Sequence, residues 1–128
     1  MRYLGIDYGR VRTGAAVSND EETLAFPITV LVSLPEEKLF QSLSEIINID
    51  GIKTIVLGLP FIGENVNPSW KKEVEAFAER LKTKLGIEVI LENEMFTTRI
   101  AERSSPDNAD AAAAALILQS FLDRKNKV

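Results

Sequence analysis

Cysteine and histidine are both absent from this chain of 128 residues. Without cysteine there is no disulfide framework, no thiol nucleophile and no thiolate-bound zinc; without histidine the usual general base and the commonest metal ligand are gone. Any catalysis falls to carboxylates, hydroxyls, lysine, arginine or a metal held by oxygen. A basic excess is missing too: 15 Lys and Arg stand against 19 Asp and Glu, a net charge of −4. That argues against generic polyanion binding, but leaves room for a local basic patch or a site where divalent ions offset acids. No charged leader with an apolar block opens the sequence, and no apolar run approaches the roughly eighteen residues of a membrane span. The expected location is the cytoplasm. Repeats and low-complexity linkers are lacking, and 45% hydrophobic with 27% charged content suits one globular domain over residues 1–128.

What is present is organised around GIDYGRVRTGAAVS, residues 5–18. Arg2 to Ile6 read as a strand, Gly9 as the permissive residue of a tight turn, and Thr13 to Val17 as a second strand. Asp7 stands where the first strand runs out. An acid there is costly in a dry core, so it either caps its own turn or faces solvent or a cation. Leu24 to Val32 supply a third strand, whose Pro27 suits an edge or a bulge. Short connections make these three antiparallel neighbours.

Ser33-Leu34-Pro35-Glu36 has the form of a capping box before a first helix, with Leu39, Phe40, Leu43, Ile46 and Ile47 on one face. Lys53 to Leu59 is nearly all apolar, the pattern of a strand covered on both faces, and its arrival after a helix implies a parallel crossover. The loop FIGENVN follows; Asn67-Pro68 then opens a second helix with Val74, Phe77, Ala78, Leu81 and Leu85 inward and Gly86 at its end. Glu88 to Leu91 form a fifth strand that delivers Glu92-Asn93-Glu94 to its carboxyl end. Thr97 to Arg103 suggest a short helix, and Ala109 to Leu122 a final one, interrupted on its apolar side by Asp110. The order βββαβαβ(α)α predicts an α/β fold of the ribonuclease H-like type: a mixed five-stranded sheet, three antiparallel strands then parallel βα units, flanked by helices.

In that arrangement the first strand is central and the carboxyl ends of the parallel strands share one edge with it. Asp7 and Glu94 would meet there. The alanine run after Asp110 lets the last helix approach the sheet closely, bringing a third carboxylate. Three acids repel one another unless hard divalent ions relieve them, and two-metal phosphodiester cleavage needs nothing more. Each residue also has a plainer reading. Glu92, Glu94 and Asp107 are exposed loop acids on that reading, and Asp110 merely complements a helix dipole. Arg12 is then a solvated hairpin residue instead of a phosphate contact, and Thr97-Thr98 a helix cap instead of a backbone contact to nucleic acid.

The chain resembles the YqgF family, small ribonuclease H-like proteins described both as Holliday junction resolvases and as pre-16S rRNA nucleases. The resemblance runs nearly end to end through GIDYGRVRTGAAVS, IVLGLP, EVEAFAERL, ENEMFTT and DAAAAALILQSFLD. It implies that Asp7 is the family's first-strand acid, Arg12 its turn arginine, Glu94 the acid of its Asp-Glu-Arg motif and Asp110 the acid of its last helix. Three departures stand out: Asn93-Glu94-Met95 replaces Asp-Glu-Arg, the segment between Thr98 and Asp110 is short, and Asn19 stands where an acid is common.

The first expectation is therefore an Mg²⁺- or Mn²⁺-dependent nuclease for structured nucleic acid, with Asp7, Glu94 and Asp110 catalytic and metal-binding and Arg12, Thr97 and Thr98 on the nucleic acid. Its substrate would be pre-16S rRNA, in a ribosomal particle if not free. A four-way DNA junction is the alternative, and that role requires a homodimer because two symmetric cuts are needed. A non-catalytic ribosome-assembly protein is the competing class. Phosphoryl transfer from ATP, suggested by the Gly-x-Asp-x-Gly turn, requires a second such domain to enclose the nucleotide.

Overall fold

The computed structural model describes residues 1–59, 68–93 and 109–127. Five strands form one sheet: β1 (Arg2–Asp7), β2 (Arg12–Ser18), β3 (Ala25–Val32), β4 (Ile52–Leu59) and β5 (Glu88–Asn93), in spatial order β3-β2-β1-β4-β5. β1 pairs antiparallel with β2 and β2 with β3, whereas β4 is parallel to both β1 and β5. The expected mixed sheet with β1 at its centre is present. Pro27 lies on an edge strand, and it flanks the register shift opposite Ala15 and Ala16, so its missing N–H costs no ladder bond inside the sheet.

Helices α1 (Glu36–Asp50) and α2 (Pro68–Leu85) cover one face, and α3 (Ala109–Lys125) covers the other. The first interface buries Leu4, Ile6, Ile55 and Leu57 of the central strands under Leu39, Leu43, Phe77 and Leu81. The second sets Tyr3, Ala16 and Val56 against Ala114, Ile117, Leu118 and Phe121. Alternate residues of β1 thus serve opposite layers, as the two-residue period of a strand requires. Gly51 closes α1 in the left-handed conformation (φ 64°) and donates its N–H to the Ile47 carbonyl.

The start of α1 differs from expectation. Pro35 occupies its N-cap without any side-chain cap, and Ser33 is used elsewhere. The Ser33 hydroxyl donates to the Gly9 carbonyl at 2.6 Å and lies 2.8 Å from Thr13 Oγ1. One hydroxyl carries one proton, so Thr13 donates to Ser33 and Ser33 to Gly9. Thr13 and Ser33 are both fully buried, and their relay ties the end of β3 to the turn between β1 and β2. A local pattern promised a cap; the tertiary structure buries the Ser33 hydroxyl and gives it the Gly9 carbonyl as its acceptor. The expected loop at 61–67 and short helix at 97–103 lie outside the described residues. None of the described helices is long and apolar enough to cross a membrane.

Candidate active site at the carboxyl edge of the sheet

Asp7 ends β1 and is directly opposite Gly14 of β2. Residues opposed across an antiparallel pair send their Cα–Cβ bonds to the same face. At Gly14 that bond would point straight into α3: a β-carbon there would lie 1.9 Å from the Asp110 carbonyl oxygen and 2.8 Å from the Ala111 nitrogen. Gly5, two residues before Asp7, makes the same approach lower on the helix, where a β-carbon would sit 2.8 Å from the Ala114 carbonyl oxygen. The first turn of α3 therefore rests backbone on backbone against the strand pair that carries Asp7. Alanines on the helix permit this only because glycines face them.

Asp110 is half-buried in the first turn of α3, where its charge complements the helix dipole. Arg12, two residues before Gly14 and hence on the same face of β2, reaches it with Nε 3.4 Å from Oδ2. The guanidinium is 58% exposed, so it is presented to solvent as well as to Asp110. Asp7, Asp110 and Arg12 are thus brought to one corner, from residues more than a hundred positions apart in the chain. Glu94, Thr97 and Thr98, the other sequence candidates, lie outside the described residues. Among the described residues no group of three acids is arranged to hold a metal ion.

Two expectations about individual residues change. Gly9 is not needed for a left-handed backbone, since its φ is not positive; a β-carbon there would lie 2.4 Å from the Arg12 carbonyl oxygen, so the constraint is the closeness of the folded turn. Glu92 is no loop acid. It is 2% exposed, lies within β5, and accepts from Arg124 Nη1 at 2.7 Å, from Arg124 Nη2, and from Ser120 Oγ at 3.2 Å. Those bonds hold the arginine firmly in its charged form, with the pKa of Arg124 raised chiefly by the hydrogen bond to Glu92. At the opposite sheet edge Gln119 donates to the Thr23 carbonyl at 2.8 Å and accepts from the Ala25 N–H at 2.9 Å. α3 is thereby pinned to both sides of the sheet, which sets where Asp110 stands.

The pin has an asymmetric energy. Losing Arg124 strands a buried carboxylate, whereas losing the Glu92 charge leaves an arginine that is 62% exposed and readily hydrated. Arg124→Ala should therefore cost about 3 kcal/mol, and Glu92→Gln about 1 kcal/mol. The double variant should be more stable than Arg124→Ala alone. Urea unfolding of the three proteins measures this; equal effects of the two single changes would show that the pair is merely a surface contact.

Asn19, a departure from the family pattern, lies after β2 and so at the amino-terminal end of β1, far from Asp7. Its Oδ1 accepts from the Thr23 and Leu24 N–H groups at 2.9 and 3.0 Å. It organises the β2–β3 turn, and the absence of an acid at 19 leaves the corner described above unaltered.

A family profile described as "RuvX: Holliday junction resolvase" matches residues 1–124. A protein of Nitratidesulfovibrio vulgaris named "Putative pre-16S rRNA nuclease" is 33% identical, over 96% of this chain and 94% of its own length. One of the same name from Salinibacter ruber is 37% identical, over 96% of this chain and 93% of its own. In fold the chain is similar to Thermus thermophilus RuvC, solved with a Holliday junction substrate, with a TM-score of 0.61 at 15% identity over 98% and 96% of the two chains. Fowlpox virus resolvase in complex with junction DNA gives 0.57 at 14% identity, over 99% and 100%. These two likenesses establish the ribonuclease H-like fold. The chain belongs to the RuvX family, the YqgF proteins whose motifs it carries.

Proposed function

We propose that this nuclease of the RuvX family is a divalent-metal-dependent enzyme that trims the 5′ end of pre-16S rRNA in the cytoplasm. The observation that carries the reading is the Gly14 seat, which sets the first turn of α3, with Asp110, beside the strand end that bears Asp7. The donor chemistry fits a hard cation such as Mg²⁺ or Mn²⁺: two carboxylates share a half-buried corner, and no histidine or cysteine exists to favour a softer ion. Glu94, two positions beyond Glu92 along the sequence, is the third acid of the proposal. When bound, such ions supply an activated water and neutralise the leaving oxygen. The protein's own part is placement. Asp7, Glu94 and Asp110 hold the charge of the site, Arg12 exchanges its contact with Asp110 for a substrate phosphate, and Thr97 and Thr98 touch the backbone.

RNA is preferred over a DNA junction for two reasons. The curated relatives are named as pre-16S rRNA nucleases, and an acidic chain with Met95 in place of an arginine has a small phosphate footprint. Weak, shallowly salt-dependent binding to plain duplex follows, and recognition then rests on shape or on a ribosomal particle. The junction reading keeps support from the family description and requires a homodimer. RNA carrying the 16S precursor 5′ extension and an immobile four-way junction should be offered at equal concentration with Mg²⁺ or Mn²⁺, with EDTA and Asp7→Asn controls. Slow cutting of the RNA is the expected result. Paired symmetric nicking of the junction by a dimer, with the RNA intact, would replace this reading by the resolvase. No cutting of either, with tight binding to ribosomal subunits, would replace it by a non-catalytic assembly role.

A further inference from the structure

On the face of the sheet away from α3, a column of flat groups runs from the core to the surface. Phe77 is fully buried; Tyr8 stacks on it with ring centroids 3.8 Å apart and planes within 7°. Trp70, half-buried in the first turn of α2, stacks on Tyr8 at 5.6 Å and 9°. Arg10 completes the column, its Cζ 4.9 Å from the Trp70 ring centroid. Glu73 holds the guanidinium from the side, Oε1 and Oε2 lying 3.1 and 3.4 Å from Nη2 and Nε. Burial raises the Tyr8 pKa, with the nearby Glu36 charge adding to it, so this ring stays a neutral phenol inside the column.

Arg10 is nonetheless 63% exposed. It is a flat cation fixed in orientation by a ring beneath and a carboxylate beside it, at the outer end of a rigid stack. Its position matters more. Tyr8 follows Asp7 directly, and one turn sends Arg12 toward α3 and Arg10 toward α2, so two arginines flank the strand end that carries the candidate catalytic acid.

We propose that Arg10 on its Trp70 shelf is a second nucleic-acid contact, separate from the acid corner, which takes one unpaired nucleotide of the substrate. The base lies against the outer face of the guanidinium, which Trp70 backs, and its phosphate replaces Glu73 on the guanidinium edge. Every base has a π-face, and inside a duplex stacking on both neighbours covers it, so the shelf selects unstacked single strand over duplex without reading sequence. Glu73 competes with the phosphate and keeps the contact reversible. The inference rests on the nuclease reading for the class of ligand.

Trp70 is the only tryptophan, so its emission reports on this shelf alone. The full chain should be titrated in EDTA at low salt with a short oligouridylate and, separately, with a blunt RNA duplex of equal length. The single strand should quench Trp70 and the duplex should not. Arg10→Ala, with its thermal midpoint unchanged, should weaken the single-strand Kd about tenfold. Arg10→Lys, which keeps the charge without the plane, should restore less than half of that loss, and Glu73→Gln should tighten binding several-fold. Binding without a change in Trp70 emission, no binding at all, or parental affinity in both Arg10→Ala and Glu73→Gln would overturn the proposal. Cleavage by the parent without quenching sinks the shelf alone, whereas quenching without cleavage under Mg²⁺ and Mn²⁺ sinks the nuclease reading and leaves the shelf standing.

Discussion

Asp7→Asn should abolish cleavage while leaving the metal-free protein as stable as the parent or slightly more so. The substitution keeps the shape of the side chain and removes its charge. If Asp7 holds a cation with Asp110, the barrier to hydrolysis should rise by at least about 4 kcal/mol, on the order of a thousandfold in rate. Stability should move the other way. Asp7 and Asp110 lie at the same corner, and neutralising one of two neighbouring carboxylates relieves their repulsion, as commonly happens when a functional site is disarmed. Single-turnover cleavage and thermal melts in EDTA measure the two halves separately. Wild-type turnover, or a large fall in the melting temperature without metal, would make Asp7 a turn cap and nothing more.

Gly14→Ala should have the second large effect, and on both stability and activity. One methyl group at this position meets the Asp110 carbonyl oxygen at 1.9 Å, and backbone cannot swing aside as the end of a side chain can. α3 has to lift from β2 or the strand has to bend. Overpacking of this kind costs about 1–3 kcal/mol and occasionally more, and the upper end applies because both partners are main chain. The lift also carries Asp110 away from Asp7, so cleavage should fall by at least about tenfold even where the variant is fully folded. Ala16→Gly, one turn of the pleat further along the same strand face, is the useful control: it removes a methyl group that α3 already accommodates and should cost only about 1 kcal/mol, with cleavage retained. Unfolding by urea and cleavage below the melting temperature test the pair. A Gly14→Ala protein that folds and cuts like the parent would show that α3 has freedom to shift, and that its seat on β2 does not position Asp110.

The strands and helices were legible in the sequence because their patterns are local. The alternation of Leu4 and Ile6 with Tyr3 and Gly5, the unbroken run from Ile55 to Leu59, and the helical spacing of Leu39, Phe40 and Leu43 each record which faces are covered. The order of those elements was enough for a central β1 and a mixed sheet, since short connections and right-handed crossovers leave few alternatives. The YqgF motifs added the acids by position, and the described structure brings Asp7 and Asp110 together from opposite ends of the chain.

Composition alone decided that this site has neither thiol nor imidazole, because an absent residue type cannot be supplied by folding. What the sequence could not decide were contacts whose partners are distant along it. Ser33 has the local form of a helix cap, yet its own side chain is buried beside Thr13, and its proton goes to the Gly9 carbonyl, because a buried hydroxyl left unpaired costs more than a helix start that water can serve. Glu92 has the composition of a loop acid, and only the arrival of Arg124 from the far end of α3 makes its burial tolerable. Gly14 carried a signal, since glycine inside a strand marks close approach by another backbone, but nothing local says which backbone. Tertiary packing names it: the first turn of the last helix, whose alanines face strand glycines and let Asp110 reach the end of β1.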